Sequence, residues 1–457
     1  MTSKGIGLGR RSLLTGAAGA GVAAALTTVA THAASGRADA APEHTAAAAS
    51  RRSYPPNWPA TAPYGAADTR RDLWPRDDNS FVLPLEPRPQ DEELGRVWIR
   101  DFYVNCFVVD GRPLYVATGT TRAAGLAAAS PWNDGIWVWV APALEGPWKL
   151  ADTTGVRPGA AKGKVWSPEF ADENTPGRTV VAPWQQYWYD TQFGKRGEVW
   201  APEVHRFRGK WYIVACMGDH SQKVGSFMLV SEGGVEGPYR LIEGNADKPF
   251  GDPVAGGPAV AKAGSYFHID GSFFAEGDDA WLVLHNDLYA RFRSDMEDIV
   301  PTTGLPAFQQ RSYSPEPYRE GVYVFKYGGK YYLLQAVWDL ASVDAYGSPH
   351  NAYTPGAAGA VKYQYDVVAA VSDTFQGPYS ERWTVGVGAG HNNVFLDHHG
   401  RPWTTFFRTA TSGYWADPAH VADASVPGVA QLEWTGPDGN RLYVKRRDIG
   451  HGRSQSD

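Results

Sequence analysis

The sequence predicts an all-β fold, a five-bladed β-propeller, and two observations predict it. One is a strand–turn–strand unit that recurs five times, each copy opening on an acid or a histidine. The other is a short Gly-Pro-aromatic marker that follows three of the copies: EGPW at Glu145–Trp148, EGPY at Glu236–Tyr239 and QGPY at Gln376–Tyr379.

The clearest copy is REGVYVFKYGGKYYLLQA, Arg319 to Ala336. Val322, Val324 and Lys326 alternate in facing with Tyr323 and Phe325, the period of a strand. Gly328-Gly329 offers the positive φ of a tight hairpin, and Tyr331–Leu334 runs back as a β-rich partner. Glu320 therefore stands at the mouth end of a largely hydrophobic strand. In chain order the other copies read alike. Asp101 leads Phe102–Val109 to Asp110-Gly111, and Leu114–Thr118 returns. Glu203 leads Val204–Phe207 to Arg208-Gly209, and Trp211–Ala215 returns. Asp270 leads Gly271–Ala275 to Glu276-Gly277, and Trp281–Leu284 returns. His391 leads Asn392–Leu396 to His399-Gly400, and Trp403–Phe407 returns. The turn glycines are unevenly spaced, which predicts blades of unequal size on one plan.

One propeller with a leader and tails accounts for nearly all of the 457 residues. Residues 1–40 read as an export signal of twin-arginine type: Arg10-Arg11, a weakly apolar Ala/Gly-rich stretch from Leu13 to Ala30, then an A-x-A site at Ala38-Asp39-Ala40. The expected product is secreted. Residues 41–95, rich in Pro, Ala, Arg and Asp, read as a linker and N-terminal arm, with Trp58, Tyr64 and Trp74 as its contacts to the propeller. The propeller occupies 96–450 and a polar tail 451–457. Asp339–Ala360 is an insertion without a strand pattern, and no helix-period segment stands out.

The formal net charge is −6 with no run of Lys or Arg beyond short pairs, which argues against nucleic acid and against a membrane partner for the mature chain. A hydrophobic share of 43% is ample for a packed core. Cys106 and Cys216 each sit inside an apolar strand pattern and are expected to be buried free thiols rather than a disulfide or metal pair.

In a propeller the innermost strands run along the central axis in the same sense, so their opening residues gather at one mouth. Here those residues are Asp101, Glu203, Asp270, Glu320 and His391. Four carboxylates in one desolvated pocket repel one another, an arrangement that chemistry explains more readily than packing. Inverting glycoside hydrolysis needs such an inventory. One carboxylic acid protonates the leaving oxygen and one carboxylate, about 6.5–9.5 Å away, activates a water. A third carboxylate keeps the acid protonated by like-charge repulsion.

From Arg96 to Phe407 the series resembles the family 43 glycoside hydrolases, five-bladed propeller enzymes. The resemblance implies a general base at Asp101, in Arg100-Asp101, and a pKa-modulating carboxylate at Asp270, in Ile269–Phe274. It implies a general acid at Glu320, in Glu320-Gly321. The W-A-P-E motif stands intact at Trp200–Glu203, and Gly390-His391-Asn392 is similar to a segment whose His lies near a central cation in many members. Phe102, Gly271 and Val322 stand where the family has prolines, and Asn392 where it has a glycine, so the sugar is left open. The implied function is an exo-acting release of arabinofuranose or xylose from polysaccharide fragments. The alternatives are a related propeller family acting on anhydro-galactose linkages of red-algal polysaccharides, and a non-catalytic carbohydrate-binding propeller. No cofactor is required for the chemistry; a calcium or sodium ion in the channel is an option.

Glu203 is expected to hold hydrogen bonds in the pocket, with Trp200 and Trp338 among the residues that bind substrate. His391 has three readings: a ligand to an ion, a hydrogen-bond partner of the substrate, or a filler of the channel. Glu169 and Glu316, each in a Ser-Pro-Glu context, read as turn residues, and Asp219-His220 and His398-His399 as loop residues. Trp132, Trp184 and Trp188 are further stacking candidates, although most Trp in such a fold is core.

Overall fold

Each of the five units becomes an antiparallel sheet whose first strand lies innermost. The structure, a computed structural model, describes residues 79–121, 133, 135–189, 198–218, 223–250, 269–284, 288–301, 318–338, 364–380, 382–386, 389–407, 425–435 and 439–445. The leader, the arm contacts at Trp58, Tyr64 and Trp74, the insertion at 339–360 and the tail lie outside the described residues. So do Trp132, Asp219, His220 and Glu316, and the side chain of Trp338. Among the described residues no helix is long and apolar enough to cross a membrane.

Blade one comprises Ile99–Val109, Arg112–Thr121, Trp139–Ala141 and Lys149–Leu150. Blade two comprises Glu198–Phe207, Lys210–Gly218, Lys223–Gly234 and Gly237–Leu241. Blade three comprises Ser272–Glu276, Asp279–Leu284, Leu288–Phe292 and Ile299–Val300. Blade four comprises Tyr318–Tyr327, Lys330–Trp338, Gln364–Ser372 and Trp383–Gly386. Blade five comprises Val394–Leu396, Pro402–Phe406 and Gly428–Thr435, and its next strand is Ser80–Val82 from the start of the described chain, paired Ser80 to Ala430 and Val82 to Gly428. Strand Arg441–Val444 takes the remainder of the same outer edge. Strands from the two ends of the described chain thus meet in one sheet, which closes the ring.

The core is divided as a propeller requires. Five hydrophobic clusters lie one between each pair of adjoining blades: Val116 with Ile213, Phe207 with Phe292, Phe274 with Tyr379, Tyr332 with Leu442, and Val104 with Phe395 each share one. Aromatic pairs seal these interfaces. Phe107 meets Trp211 edge-on at 5.0 Å, Phe274 stacks on Phe375 at 5.0 Å, and Tyr327 stacks on Trp434 at 3.9 Å. Each buried side chain of this size contributes about 1.5–3 kcal/mol.

Local chemistry explains the turns. Val109 pairs with Arg112, Phe207 with Lys210 and Tyr327 with Lys330 across two-residue loops. Both loop residues have positive φ: Asp110 and Gly111 at 50° and 75°, Arg208 and Gly209 at 49° and 79°, Gly328 and Gly329 at 56° and 81°. That twist matches the flanking strands. The Gly-Pro-aromatic markers share one role: Trp148 Nε1 donates to Leu144 O (2.8 Å), Tyr239 OH to Val235 O (3.0 Å) and Tyr379 OH to Phe375 O (2.8 Å). Each ring's polar atom thereby closes the bend four residues upstream.

The structure corrects several boundaries. The innermost strands of blades one, two and four begin earlier than expected, at Ile99, Glu198 and Tyr318, because ladder pairing extends before the acids. Those of blades three and five begin later, at Ser272 and Val394. Glu276 belongs to its strand and the turn is Gly277-Asp278, since Glu276 pairs with Asp279. A short helix, Pro183–Tyr189, occupies the aromatic WQQYWYD run, where no periodicity announced it. Both cysteines are free thiols, but Cys106 is half-buried rather than buried, because it stands near the far end of its strand.

Candidate active site

The site is built by one backbone device repeated around the axis. Asp101, Ala201, Asp270, Gly321 and Gly390 all have left-handed φ, at 47°, 47°, 51°, 58° and 69°. In blades one, two and four this residue and its successor form a β-bulge. The ladder skips from Arg100–Thr120 to Tyr103–Thr118, from Trp200–Cys216 to Glu203–Val214, and from Glu320–Ala336 to Tyr323–Leu334. Such bulges re-aim side chains at the rims of closed sheets. A non-glycine residue held there costs on the order of 1–3 kcal/mol, although Asp tolerates it better than most. The residues after the left-handed positions Asp101, Asp270 and Gly321, where the sequence departs from proline, are closely packed. Phe102 and Val322 are buried in the inter-blade core, and a Cβ on Gly271 would lie 2.8 Å from Ser226 Oγ.

The device brings Asp101, Asp270, Glu320, Glu203 and His391 together. His391 Nδ1 lies 3.8 Å from Asp101 Oδ1. Its ring packs against Gly321, where a Cβ would stand 2.7 Å from His391 Cγ, so only glycine satisfies both the backbone and the neighbour. Burial by itself would lower the basicity of this imidazole. The carboxylates of Asp270, Asp101, Glu203 and Glu320 outweigh it and hold its pKa above the ordinary histidine range.

Each acid is held from another element. Asp101 Oδ2 accepts the Thr120 hydroxyl at 2.6 Å, and Thr120 Oγ1 accepts the Ala201 N–H at 2.8 Å, which ties blade one to blade two. Asp270 Oδ2 accepts the Gly321 N–H at 3.2 Å, beside Glu320 in sequence, which ties blade three to blade four. Cys216 Sγ lies 3.7 Å from Asp270 Oδ1; burial first, and Asp270 second, push this thiol's pKa up, so it stays neutral. Glu320 is half-buried.

Glu203 corrects the expectation of a single tier at the mouth. It stands two residues beyond left-handed Ala201, level with Tyr103, Ser272, Tyr323 and Asn392 rather than with Asp101. Its Oε2 is 2.8 Å from His205 Nε2 and accepts the Ser272 hydroxyl at 2.9 Å and the Phe273 N–H at 3.3 Å. Tyr103 OH continues this lower tier, 3.4 Å from His205 Nδ1, and receives Asn105 Nδ2 at 3.1 Å. A carboxylate with one oxygen so occupied is a fixed charge that organises its neighbours.

Several residues of this site escaped sequence reasoning. His205 carried a signal, since the i, i+2 spacing places it on the face of Glu203. Thr120 carried none, because its partners lie on distant strands. Of the tryptophans, Trp200 is half-buried and gives its indole N–H to Glu198 Oε2 at 2.6 Å. Trp184 donates to Asn245 O and packs on Phe227, a core role, and Trp188 packs partly buried against the cluster between blades one and two. Glu169 lies not in a turn but in the first turn of a short 3-10 helix, Pro168–Glu173, capped by Ser167, and accepts Tyr189 OH at 3.1 Å; His398 Nδ1 lies 2.6 Å from Tyr115 OH in a loop.

An axial ion would need a ligating set of side chains around the channel. The amide oxygen of buried Asn392 has no partner and His391 stands beside it in sequence, yet among the described residues no three of His, Cys, Asp and Glu are spaced to hold a metal ion. The described side chains do not form a directly ligating set.

Chemically, the tier holds carboxylates from separate blades around one buried imidazole. That inventory suits proton transfer at two faces of a bound molecule. A family model, that of Glycosyl hydrolases family 43, matches residues 179–435, more than half of the chain. Blade one, with Asp101, lies before the matched span. No curated protein matches. Among solved structures the chain is similar to a thermostable family-43 glycoside hydrolase, at 19% identity over 82% of this chain and 98% of that one, with a TM-score of 0.46. It is also similar to an endo-arabinase from Bacteroides thetaiotaomicron, at 16% identity over 75% and 96% of the two chains, TM-score 0.43. A third is an exo-β-1,3-galactanase from Phanerochaete chrysosporium, at 10% identity over 80% and 67%, TM-score 0.45.

Proposed function

From the premise that the chain belongs to glycosyl hydrolases family 43 and is a glycosidase, we propose that it inverts configuration, acts at chain ends, and releases pentoses of the arabinofuranose or xylose class from polysaccharide fragments. The observation that supports the two-carboxylate chemistry of this reading most is the convergence on His391 of Asp270, Asp101, Glu203 and Glu320 from four different blades, with Asp101 Oδ1 3.8 Å from its Nδ1.

In this scheme Glu320 donates its proton to the departing glycosidic oxygen as the bond to the anomeric carbon breaks. Asp101 takes a proton from the water that attacks the opposite face. The Thr120 hydroxyl fixes one Asp101 oxygen and leaves the other for that water. Asp270, anchored on the Gly321 N–H, places a negative charge near Glu320 and thereby favours the protonated acid before reaction. Glu203 and His391 hold and balance the charges, and Trp200 and Trp338 bind the sugar. The paired arginines, apolar stretch and A-x-A site of residues 1–40 support export of the enzyme.

The test is a pair of variants assayed on two leaving groups. Glu320→Gln is expected to abolish turnover of a glycoside with a poor leaving group and to spare much of the turnover of an activated aryl glycoside. Asp101→Asn is expected to stop both, with azide restoring product of inverted configuration. Undiminished turnover of both substrates by Glu320→Gln removes that residue from the mechanism. A panel of aryl pentosides and galactosides identifies the sugar.

A further inference from the structure

Trp200, like Trp98, belongs to none of the five hydrophobic clusters that bind the blades together, and unlike Trp98 it is not fully buried. It is half-buried, and its indole N–H meets Glu198 Oε2 at 2.6 Å. Among the core tryptophans, Trp148, Trp166 and Trp383 donate to the backbone carbonyls of Leu144, Val180 and Leu442, and Trp403 donates to the carboxylate of Asp397 at 3.1 Å. Glu198 is likewise a carboxylate, only 2% exposed, and burying a carboxylate costs free energy.

The backbone beneath this pair is fixed. Glu198 opens the innermost strand of blade two opposite Gly218, and its i, i+2 relation to Trp200 puts both side chains on one face of that strand. Val199 is clamped by Asn133, which accepts its N–H at 3.0 Å and donates to its carbonyl. Ala201, the next residue after Trp200, is the left-handed residue bonded to Thr120, the residue that also holds Asp101. Trp200 therefore occupies in blade two the place that Glu320 occupies in blade four, one residue before the left-handed position.

We propose that Glu198 is a positioning residue that sets the plane of the Trp200 indole, so that the indole face forms the stacking wall for the sugar ring. The inference rests on the functional reading above. A rigid aromatic face recognises the apolar C–H face of a furanose or pyranose, and a charge-assisted bond at the indole edge fixes its angle. Removing the carboxylate leaves the ring in place but free to tilt, which weakens binding more than it slows chemistry.

The test is a double-mutant cycle on the intact chain, read as KM and kcat on an aryl pentoside that the enzyme turns over. Glu198→Ala is expected to raise KM about tenfold, the effect of one hydrogen bond to a charged group, with kcat within about threefold. Glu198→Gln retains an oxygen acceptor and is expected to return KM to within about threefold of the unmodified enzyme. In the Trp200→Phe background, which has no N–H to hold, Glu198→Ala is expected to change KM by less than about twofold. Should Glu198→Ala fail to fold, Glu198→Leu, which fills the volume but accepts no hydrogen bond, takes its place in both backgrounds. Equal effects in both backgrounds, or a loss confined to kcat, overturn the assignment. Asp101→Asn on the same substrate separates the two levels. An inactive Asp101→Asn beside an additive cycle rejects Glu198 alone, whereas full turnover by Asp101→Asn rejects the inverting scheme.

Discussion

Gly321→Ala probes the bulge device directly. The residue has φ 58°, a region that costs an L side chain about 1–2 kcal/mol. The new methyl would stand 2.7 Å from Cγ and 2.9 Å from Cδ2 of His391, a buried ring enclosed by carboxylates, so the ring must shift. Overpacking of that kind costs about 1–3 kcal/mol, for a total of about 3 kcal/mol. At ~2.1 cal/mol/K of unfolding entropy per residue, a propeller spanning residues 96–450 loses about 4 °C in Tm for that amount. A displacement of His391 and Glu320 approaching 1 Å lowers kcat about 10- to 100-fold. The control is Ala201→Gly, at φ 47° in the equivalent position. Its relief of about 1–2 kcal/mol is offset by the lost methyl burial and added chain entropy, about 0.8 and 0.5–1 kcal/mol, so its stability stays near that of the unmodified protein. Calorimetry and kinetics on the three proteins decide the matter. A Gly321→Ala protein with unaltered Tm and kcat, or an Ala201→Gly protein destabilised as much, refutes the reasoning.

Three further outcomes are expected. His391 has a raised folded pKa, so its contribution to stability is complete below the unfolded value of about 6.5 and is lost as pH rises through the folded value. Tm measured from about pH 6 to about 9 should therefore fall more in the unmodified protein than in His391→Gln, and parallel profiles would contradict the charge assignment. Phe375, packed on Phe274 and Trp281 at 5.0 and 4.9 Å, seals blade three to blade four. Phe375→Ala is expected to cost about 3–5 kcal/mol in denaturant unfolding, and a loss below about 1 kcal/mol would deny it that role. The exported protein should begin at Ala41 by intact mass, and Arg10→Lys with Arg11→Lys should stop export; processing elsewhere rejects the leader assignment.

The parts of the fold that local physics encodes were legible. Strand alternation, two-residue glycine turns and the Gly-Pro-aromatic bends are properties of short stretches, and they mark the five units unaided. Ser80–Val82 is three residues long and pairs with Gly428–Ala430 at the other end of the chain, so nothing local announced it. The bulges were equally silent. Asp101 and Ala201 look like ordinary strand residues, and their left-handed φ is imposed by the ring they line. For that reason the acids could be named from the sequence while the depth of Glu203 could not. The partners that steady them, Thr120 for Asp101, Ser272 for Glu203 and Gly321 for Asp270, come from other strands and other blades. Glu198 was passed over because a carboxylate at a strand start ordinarily faces water.

The most direct test follows the anomeric configuration of the first-formed sugar by proton NMR, on a substrate of defined linkage and before mutarotation. The account predicts that the anomer released is opposite to the one bound in the substrate. Release of the same anomer would mean that one of the axial carboxylates attacks the sugar itself, and the assignment of Asp101 to water activation would fail.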